Sequence, residues 1–173
     1  MINKIIKKGK NVYIKKPKFN ELNYIKTLWN DKETMGDVGG VINFDEERWI
    51  SWYERMVYPG DNKNFYTLIY NFQDMPVGEV SFHGYDDELK SADLNVKIQS
   101  NFRRRGYGVE AINLILDYYF NEFGGEVIFD NVMNIKGIEA LKKVGFSIVE
   151  EKENEVLFRM TKEEFNAMKI DKS

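Results

Sequence analysis

The sequence predicts a single mixed α/β domain, and three observations carry that prediction. Its 173 residues, 43% of them apolar, suffice for one well-formed core and fall short of two large ones. Period-two alternation and helix-period apolar stripes take turns along the chain, in the order β-α-α-β-β-β-α-β-α-β-β. No internal repeat or low-complexity linker interrupts that order. One domain over 1–173 is therefore expected, with residues 1–11 as a flexible basic arm.

Val12–Lys15 reads as a short strand closed by Pro17. Asn20 is placed to cap a helix whose apolar face is Leu22, Ile25, Leu28 and Trp29. Asp31–Val41, with three glycines, reads as a loop. Asp45 is placed to cap a second helix carrying Trp49, Trp52, Tyr53 and Met56 at helical spacing, ended by Pro59-Gly60-Asp61-Asn62. Phe65–Phe72 is aromatic and β-branched and predicts a strand; Gln73–Pro76 is a turn and Val77–Phe82 the next strand. Tyr85–Lys90 is polar and turn-like. Ala92, Leu94, Val96 and Ile98 then alternate with Asp93, Asn95 and Lys97, the pattern of a half-buried strand.

Gln99–Arg105 is a polar loop ending in Gly106-Tyr107-Gly108, which opens a helix with Val109, Ile112, Leu116, Tyr119, Phe120 and Phe123 on one stripe. Gly124-Gly125 stops it. Val127–Phe129 is a short buried strand, and Asn134 caps the helix Ile135–Val144, with Gly145 past its end. Ser147–Glu151 and Val156–Met160 predict a closing hairpin, and Lys162–Met168 a terminal helix.

Composition removes several chemistries. There is no cysteine, so disulfide frameworks, thiolate zinc sites and cysteine nucleophiles are excluded. A single histidine excludes a two-histidine zinc motif, and no metal site is expected. The net charge of −3 argues against a dedicated nucleic-acid binder, and no apolar run is long enough to span a membrane. A soluble cytoplasmic domain is expected. Charge is uneven, however. The first 18 residues hold seven lysines and no acid, while the remainder holds 18 basic and 28 acidic residues. The arm reads as a solvated terminus because no aromatic stacking pattern accompanies its lysines. The acidic remainder favours a cationic partner such as an amine.

The informative segment is Arg103-Arg104-Arg105-Gly106-Tyr107-Gly108-Val109-Glu110-Ala111. A strand runs through a glycine loop into a long helix, where several backbone N–H groups lack intrahelical partners and the helix dipole adds positive charge. Glycines admit close approach of an anion, and arginines supply forked donors. The reading is a diphosphate cradle, set against a plain tight turn. A Walker loop is excluded because no Gly-Lys-Ser/Thr is present. A dinucleotide fingerprint fits poorly, since only two glycines match and the loop follows the fourth probable strand.

This segment resembles the acetyl-CoA motif of the GNAT family of N-acetyltransferases, Arg/Gln-x-x-Gly-x-Gly/Ala, with Arg103, Gly106 and Gly108 at its fixed positions. Downstream, Asn134-x-x-Gly137-x-x-Ala140-Leu141-x-Lys143-x-Gly145-Phe146 is similar to that family's second motif. Gly-Tyr-Gly-Val-Glu-Ala and the Trp29-Asn30 pair resemble the branch of ribosomal-protein and small-amine acetyltransferases. The resemblance implies a mixed, mostly antiparallel twisted sheet, helices on both faces and a splayed central strand pair. It implies acetyl-CoA as cofactor, with pantetheine along Val96, Lys97 and Ile98. The diphosphate would sit at Arg103, Arg104, Arg105, Gly106, Tyr107 and Gly108, and Asn134 would touch the cofactor or cap its helix. Gly145 and Phe146 read as a helix stop and a core aromatic.

The implied reaction is acetyl transfer to a primary amine by direct attack, without a covalent enzyme intermediate. An alkyl amine, with a pKa of about 10, must lose a proton first. Asp93, where many family members carry Glu, and Glu79 on the neighbouring strand are the candidate catalytic carboxylates; either also fits a solvent-facing strand residue. The family's common acid, a Tyr on the second-motif helix, is Leu141 here. His83 fits a base or, better, a polar edge residue. Trp49, Trp52 and Tyr53 fit core, with an acceptor-pocket lining as alternative. Asp31, Glu33, Asp37, Asp45 and Glu46 fit solvation and capping, or attraction of a cationic acceptor. The expected partner is a small-molecule amine or a protein N-terminal amine, with a homodimer compatible. Two other functions stay open: a non-catalytic acyl-CoA-binding sensor, and an RNA-associated protein using the lysine-rich arm and Arg103–Arg105.

Overall fold

A computed structural model describes residues 3–171. Eight strands form one sheet in the order β1-β2-β3-β4-β5-β6-β8-β7. They are β1 (Ile5–Lys8), β2 (Val12–Lys15), β3 (Phe65–Asn71), β4 (Pro76–Asp86), β5 (Ser91–Ile98), β6 (Val127–Val132), β7 (Ser147–Glu151) and β8 (Val156–Thr161). The helices are α1 (Leu22–Asn30), α2 (Lys32–Gly36), α3 (Trp49–Met56), α4 (Tyr107–Tyr118), α5 (Ile135–Val144) and α6 (Lys162–Asp171). Among the described residues only β5 and β6 run parallel; every other pair is antiparallel.

Period-two alternation gives the sheet two apolar faces. On one, Val12, Ile14, Phe65, Ile69, Val80, Phe82 and Leu94 pack under α4, α5 and α6 through Ile112, Leu116, Leu141 and Phe165. On the other, Tyr13, Tyr66, Leu68 and Tyr70 meet Ile25, Leu28 and Trp29 of α1 and Trp49, Trp52 and Tyr53 of α3. Helices on both faces and a mixed sheet are the expected architecture.

The structure corrects several local expectations. The basic arm is not free throughout, because Ile5–Lys8 pairs with β2 as an edge strand. Glu110 of α4 fixes that hairpin by accepting from the Asn11 and Val12 amides at 2.9 and 2.6 Å. Lys7 is held by Asp117 and Glu122 at 3.0 and 2.5 Å. Asn20 does not cap α1; a short 3-10 turn over Phe19–Glu21 leads into it. Within the expected loop 31–41 lies α2, which buries Thr34 and Met35. The polar stretch from Tyr85 is partly the continuation of β4 to Asp86, and β6 runs on to Val132. The last turn of α4 widens to a π-turn over Tyr119–Phe123, where the Tyr119 hydroxyl donates to the Val127 carbonyl at 2.7 Å. A Cβ on Gly125 would stand 2.1 Å from that Tyr ring, so the glycine is required by packing. Among the described residues no helix is long and apolar enough to cross a membrane.

Candidate active site

The site is a break in the sheet. β5 and β6 pair only at Ser91 with Val127, Ala92 with Ile128 and Asp93 with Phe129. Beyond that, β5 stays on β4 as far as Ile98, and β6 stays on β8 as far as Val132. The two half-sheets therefore diverge. The β5 edge facing β6 has no strand beside it from Leu94 to Ile98, so its amides and carbonyls there must find another partner. This is the splayed pair expected from the sequence, and it is the edge an extended amide chain could join as an added strand.

At the open end the chain turns into α4. Arg104 has φ of 65° and Gly106, the residue before the helix, φ of 77°. These left-handed residues aim the first amides of α4 into the gap, and glycine is the residue that adopts that conformation without penalty. A Cβ on Gly106 would meet no protein atom within 4 Å, and one on Gly108 only Ile98 at 3.5 Å. The glycines are thus not needed for protein packing; they keep open the space over the helix start, which suits an anion. A cleft of about 410 Å³ results, lined by Val96–Ile98, the loop at Arg103, Arg104 and Gly106, the start of α4, and Asn134–Ala140 side residues of α5.

The predicted cofactor residues divide. Val96, Lys97, Ile98, Arg104, Gly106, Tyr107, Gly108 and Asn134 line this cleft. Arg103 lines it too, but its guanidinium is engaged: it donates to the Thr34 carbonyl at 3.0 Å, Asp37 at 3.2 Å and the Ile98 carbonyl at 3.4 Å. It latches α2 over the end of β5. Arg105 lies outside the lining, its guanidinium 5.7 Å over the Phe102 ring. Asn134 caps its helix as expected, its Oδ1 accepting from the Gly137 amide at 2.7 Å, and its side-chain amide donates to the Asp37 carbonyl at 3.0 Å, a contact the sequence reading did not foresee.

The candidate catalytic carboxylates lie on the face of β4 and β5 away from α4. Glu79 stands opposite Lys97 and is 1% exposed. It accepts from the Trp29 indole N–H at 2.6 Å, with the Lys97 ammonium at 3.5 Å. The Tyr66 hydroxyl is fully buried, and burial, followed by the Glu79 charge, raises its pKa strongly. Asp93 is exposed and marks the last β5–β6 pair, opposite His83 on β4. His83 is exposed but is not the strand-end residue expected: it pairs with Asp93 within β4, which runs on to Asp86 between β3 and β5.

Trp49, Trp52 and Tyr53 are core. The acidic stretch is mostly structural. The Asp31 carboxyl accepts from Thr34 and from the Ser100 hydroxyl at 3.1 Å, and the Thr34 bond is the main reason its pKa is lowered. Asp37 meets Arg103, Asp45 caps the turn before α3 by accepting from the Glu47 amide, and Glu46 pairs with Lys26 at 2.7 Å.

Sequence reading missed Asp130. It sits on β6 one residue past the last β5–β6 pair, half-buried, in a smaller cavity of about 180 Å³ that continues the cleft inward. Burial, then the charge of Asp93, pushes its carboxyl up to about 7. The available signal is that Val132 continues the alternation of Ile128 past the expected end at Phe129, which puts Asp130 within the strand.

A sheet split beside a glycine-opened helix, with an amide edge leading from one to the other, defines an acyl-CoA-dependent acetyltransferase. The comparisons make this specific. The family profile described as acetyltransferase (GNAT) domain matches residues 12–147. The chain belongs to the GNAT family of N-acetyltransferases, with acetyl-CoA as cosubstrate. No relative is found among curated protein sequences. Among solved structures, spermidine N-acetyltransferase from Vibrio cholerae in complex with CoA and spermine is similar with a TM-score of 0.78 at 17% identity, covering 90% of this chain and 98% of that one. An acetyltransferase (GNAT family) from Bacillus anthracis is similar with a TM-score of 0.74 at 20% identity, covering 91% and 98%. At such identities these likenesses are of fold.

Proposed function

We infer that the protein transfers the acetyl group of acetyl-CoA to a primary amine of a small cationic acceptor by direct attack. The observation that carries this reading is the gap itself: an amide-lined edge with an anion cradle at one end and Asp93 at the other. The diphosphate rests on the first amides of α4, with Arg104 beside them, and pantetheine pairs with Val96, Lys97 and Ile98. An acceptor amine, protonated at neutral pH with a pKa of about 10, is drawn to the exposed Asp93 carboxylate. Glu79, buried against Trp29 and beside Lys97, lies further along the same face. Asp93, exposed at the closed end of the gap, takes the proton through water. A β5 amide at the gap stabilises the tetrahedral oxyanion.

The acidic balance outside the first 18 residues favours a cationic acceptor, and the fold likeness to a spermidine N-acetyltransferase supports a polyamine as the first acceptor to try. Thiol release from acetyl-CoA is to be followed across polyamines, amino sugars, aminoglycosides and peptides with free N-termini. Turnover highest with the polycations supports the reading. CoA binding with no turnover on any amine replaces it with a sensor.

A further inference from the structure

Acetyl transfer leaves a thiolate on CoA, and the cavity at the inner end of the cleft contains one group able to protonate it. That cavity is lined by Asn95 and Val96 of β5, Asp130 and Val132 of β6, Ile112 of α4, and Leu141 of α5, among others. Its two titratable lining residues are Asp37 and Asp130. Asp37 is paired with Arg103 at 3.2 Å and lies at the outer rim. Leu141 carries no proton. Asp130 follows directly on the last β5–β6 pair, at the closed end where an amide chain running inward along Ile98, Lys97 and Val96 delivers its terminus.

The alternation of β6 also fixes which side Asp130 serves. It shares the face of Ile128 and Val132, both in the core under α4 and α5, which is the cofactor's side of the gap. Asp93 and Glu79 belong to the opposite face. We propose that Asp130 is a catalytic residue of the acetyl transfer, the acid that protonates the departing CoA sulfur. This rests on the reading that transfer takes place in the gap.

The step balances. The ammonium first loses one proton to water through Asp93; the neutral nitrogen then bonds to the acetyl carbon, giving the tetrahedral oxyanion. As that collapses the carbon–sulfur bond breaks, the Asp130 carboxyl proton passes to sulfur, giving free CoA thiol, and the nitrogen's second proton leaves by the same route. Asp130 is then reprotonated from the cleft. Its surroundings suit the role. Burial is the larger influence and the charge of Asp93 the next, and both favour the protonated acid; the amide of Asn131 and the Lys97 ammonium oppose them. The Asp93 carboxylate beside it thus helps to keep Asp130 in the form that can give a proton.

The test is Asp130→Asn, which keeps shape and removes the proton. The expected result is a fall in kcat of roughly 10²- to 10⁴-fold with KM for acetyl-CoA within about threefold, and loss of the descending limb near neutral pH in the kcat profile. An unchanged profile overturns the proposal even if kcat falls, because a merely structural role would lower the rate without moving the limb. A wild-type measurement serves if the variant does not fold. The ¹³C carboxyl signal of Asp130 is followed by NMR with CoA and with desulfo-CoA. A shift in its titration midpoint with CoA alone supports contact with sulfur; the same response to both ligands overturns it. Failure of both ligands to bind at the gap would instead indict the site reading.

Discussion

Replacing Gly106 with valine tests the cradle, and the structure says how the effect should divide. Gly106 has φ of 77°, where a residue with a side chain is disfavoured by about 1–2 kcal/mol. That strain lowers folding stability and is shared by Gly106→Ala. A Cβ there meets no protein atom within 4 Å, so no clash with the fold is added. What the larger side chain does meet is the diphosphate over the start of α4. Each charge-assisted hydrogen bond lost there is worth about 1.5–3 kcal/mol, or roughly 10- to 150-fold in affinity. Gly106→Ala and Gly106→Val should therefore lose comparable stability in thermal melts. In calorimetric titration with CoA, the valine variant should bind at least tenfold more weakly than the alanine variant. A folded valine variant with wild-type CoA affinity would refute the cradle.

Asp93→Asn should lower kcat and shift the ascending, base-dependent limb of the pH–rate profile, while CoA affinity stays within about twofold by titration. Glu79→Gln leaves Trp29 its hydrogen-bond acceptor but removes the charge facing Lys97; steady-state kinetics should show a raised KM for polycationic acceptors, with KM for acetyl-CoA little changed. Arg103→Ala removes the tie between α2 and the end of β5, so KM for acetyl-CoA should rise more than kcat falls. At Asp117, burial raises the pKa but hydrogen bonds from Lys169, Asn121 and Lys7 outweigh it, holding the carboxyl at about 2. A depressed pKa gives stability that is present above the unfolded value, near 3.8, and lost as pH falls towards 2. Melts of wild type against Asp117→Asn should thus differ at neutral pH and converge between about pH 4 and about pH 2.

The parts of the fold legible in the sequence are those in which local pattern and tertiary role agree. Ala92, Leu94, Val96 and Ile98 alternate because one face of β5 meets α4, and that same strand leads to the glycine turn. The Asn134 cap was readable because it is satisfied three residues away, at Gly137. What escaped depends on distant partners. Segment 31–41 looks like a glycine-rich loop, and α2 exists there because Thr34 and Asp37 are held by Ser100 and Arg103 of the loop after β5, 66 positions away in sequence. The lysine-rich β1 looked like a free arm, and Glu110, 99 positions from Asn11, makes its hairpin an edge of the sheet. Asp130 escaped for the same reason: its surroundings come from β5, α4 and α5, and none is encoded next to it.

The gap is also a structural liability that explains how the rest of the molecule is arranged. Leaving the β5 edge bare from Leu94 to Ile98 forgoes the ladder bonds that would close the sheet, and water or ligand must satisfy those groups. Closing it would need β6 to rejoin β5, and the structure opposes that from both sides. β4 holds β5 to its last residue, and a Cβ on Gly78 would stand 2.2 Å from the Lys97 carbonyl, so the two strands approach as closely as glycine permits. β8 holds β6 over its full length. Arg103 and Asn134 then meet on Asp37, one from each half of the split sheet, so the α2 segment acts as a spacer across the mouth. An acceptor for the open edge is thereby built in as a requirement of the fold. On the proposed function, a thioester-bearing amide chain would meet it by restoring the missing hydrogen bonds, which would bring its reactive end to the point of divergence flanked by Asp93 and Asp130.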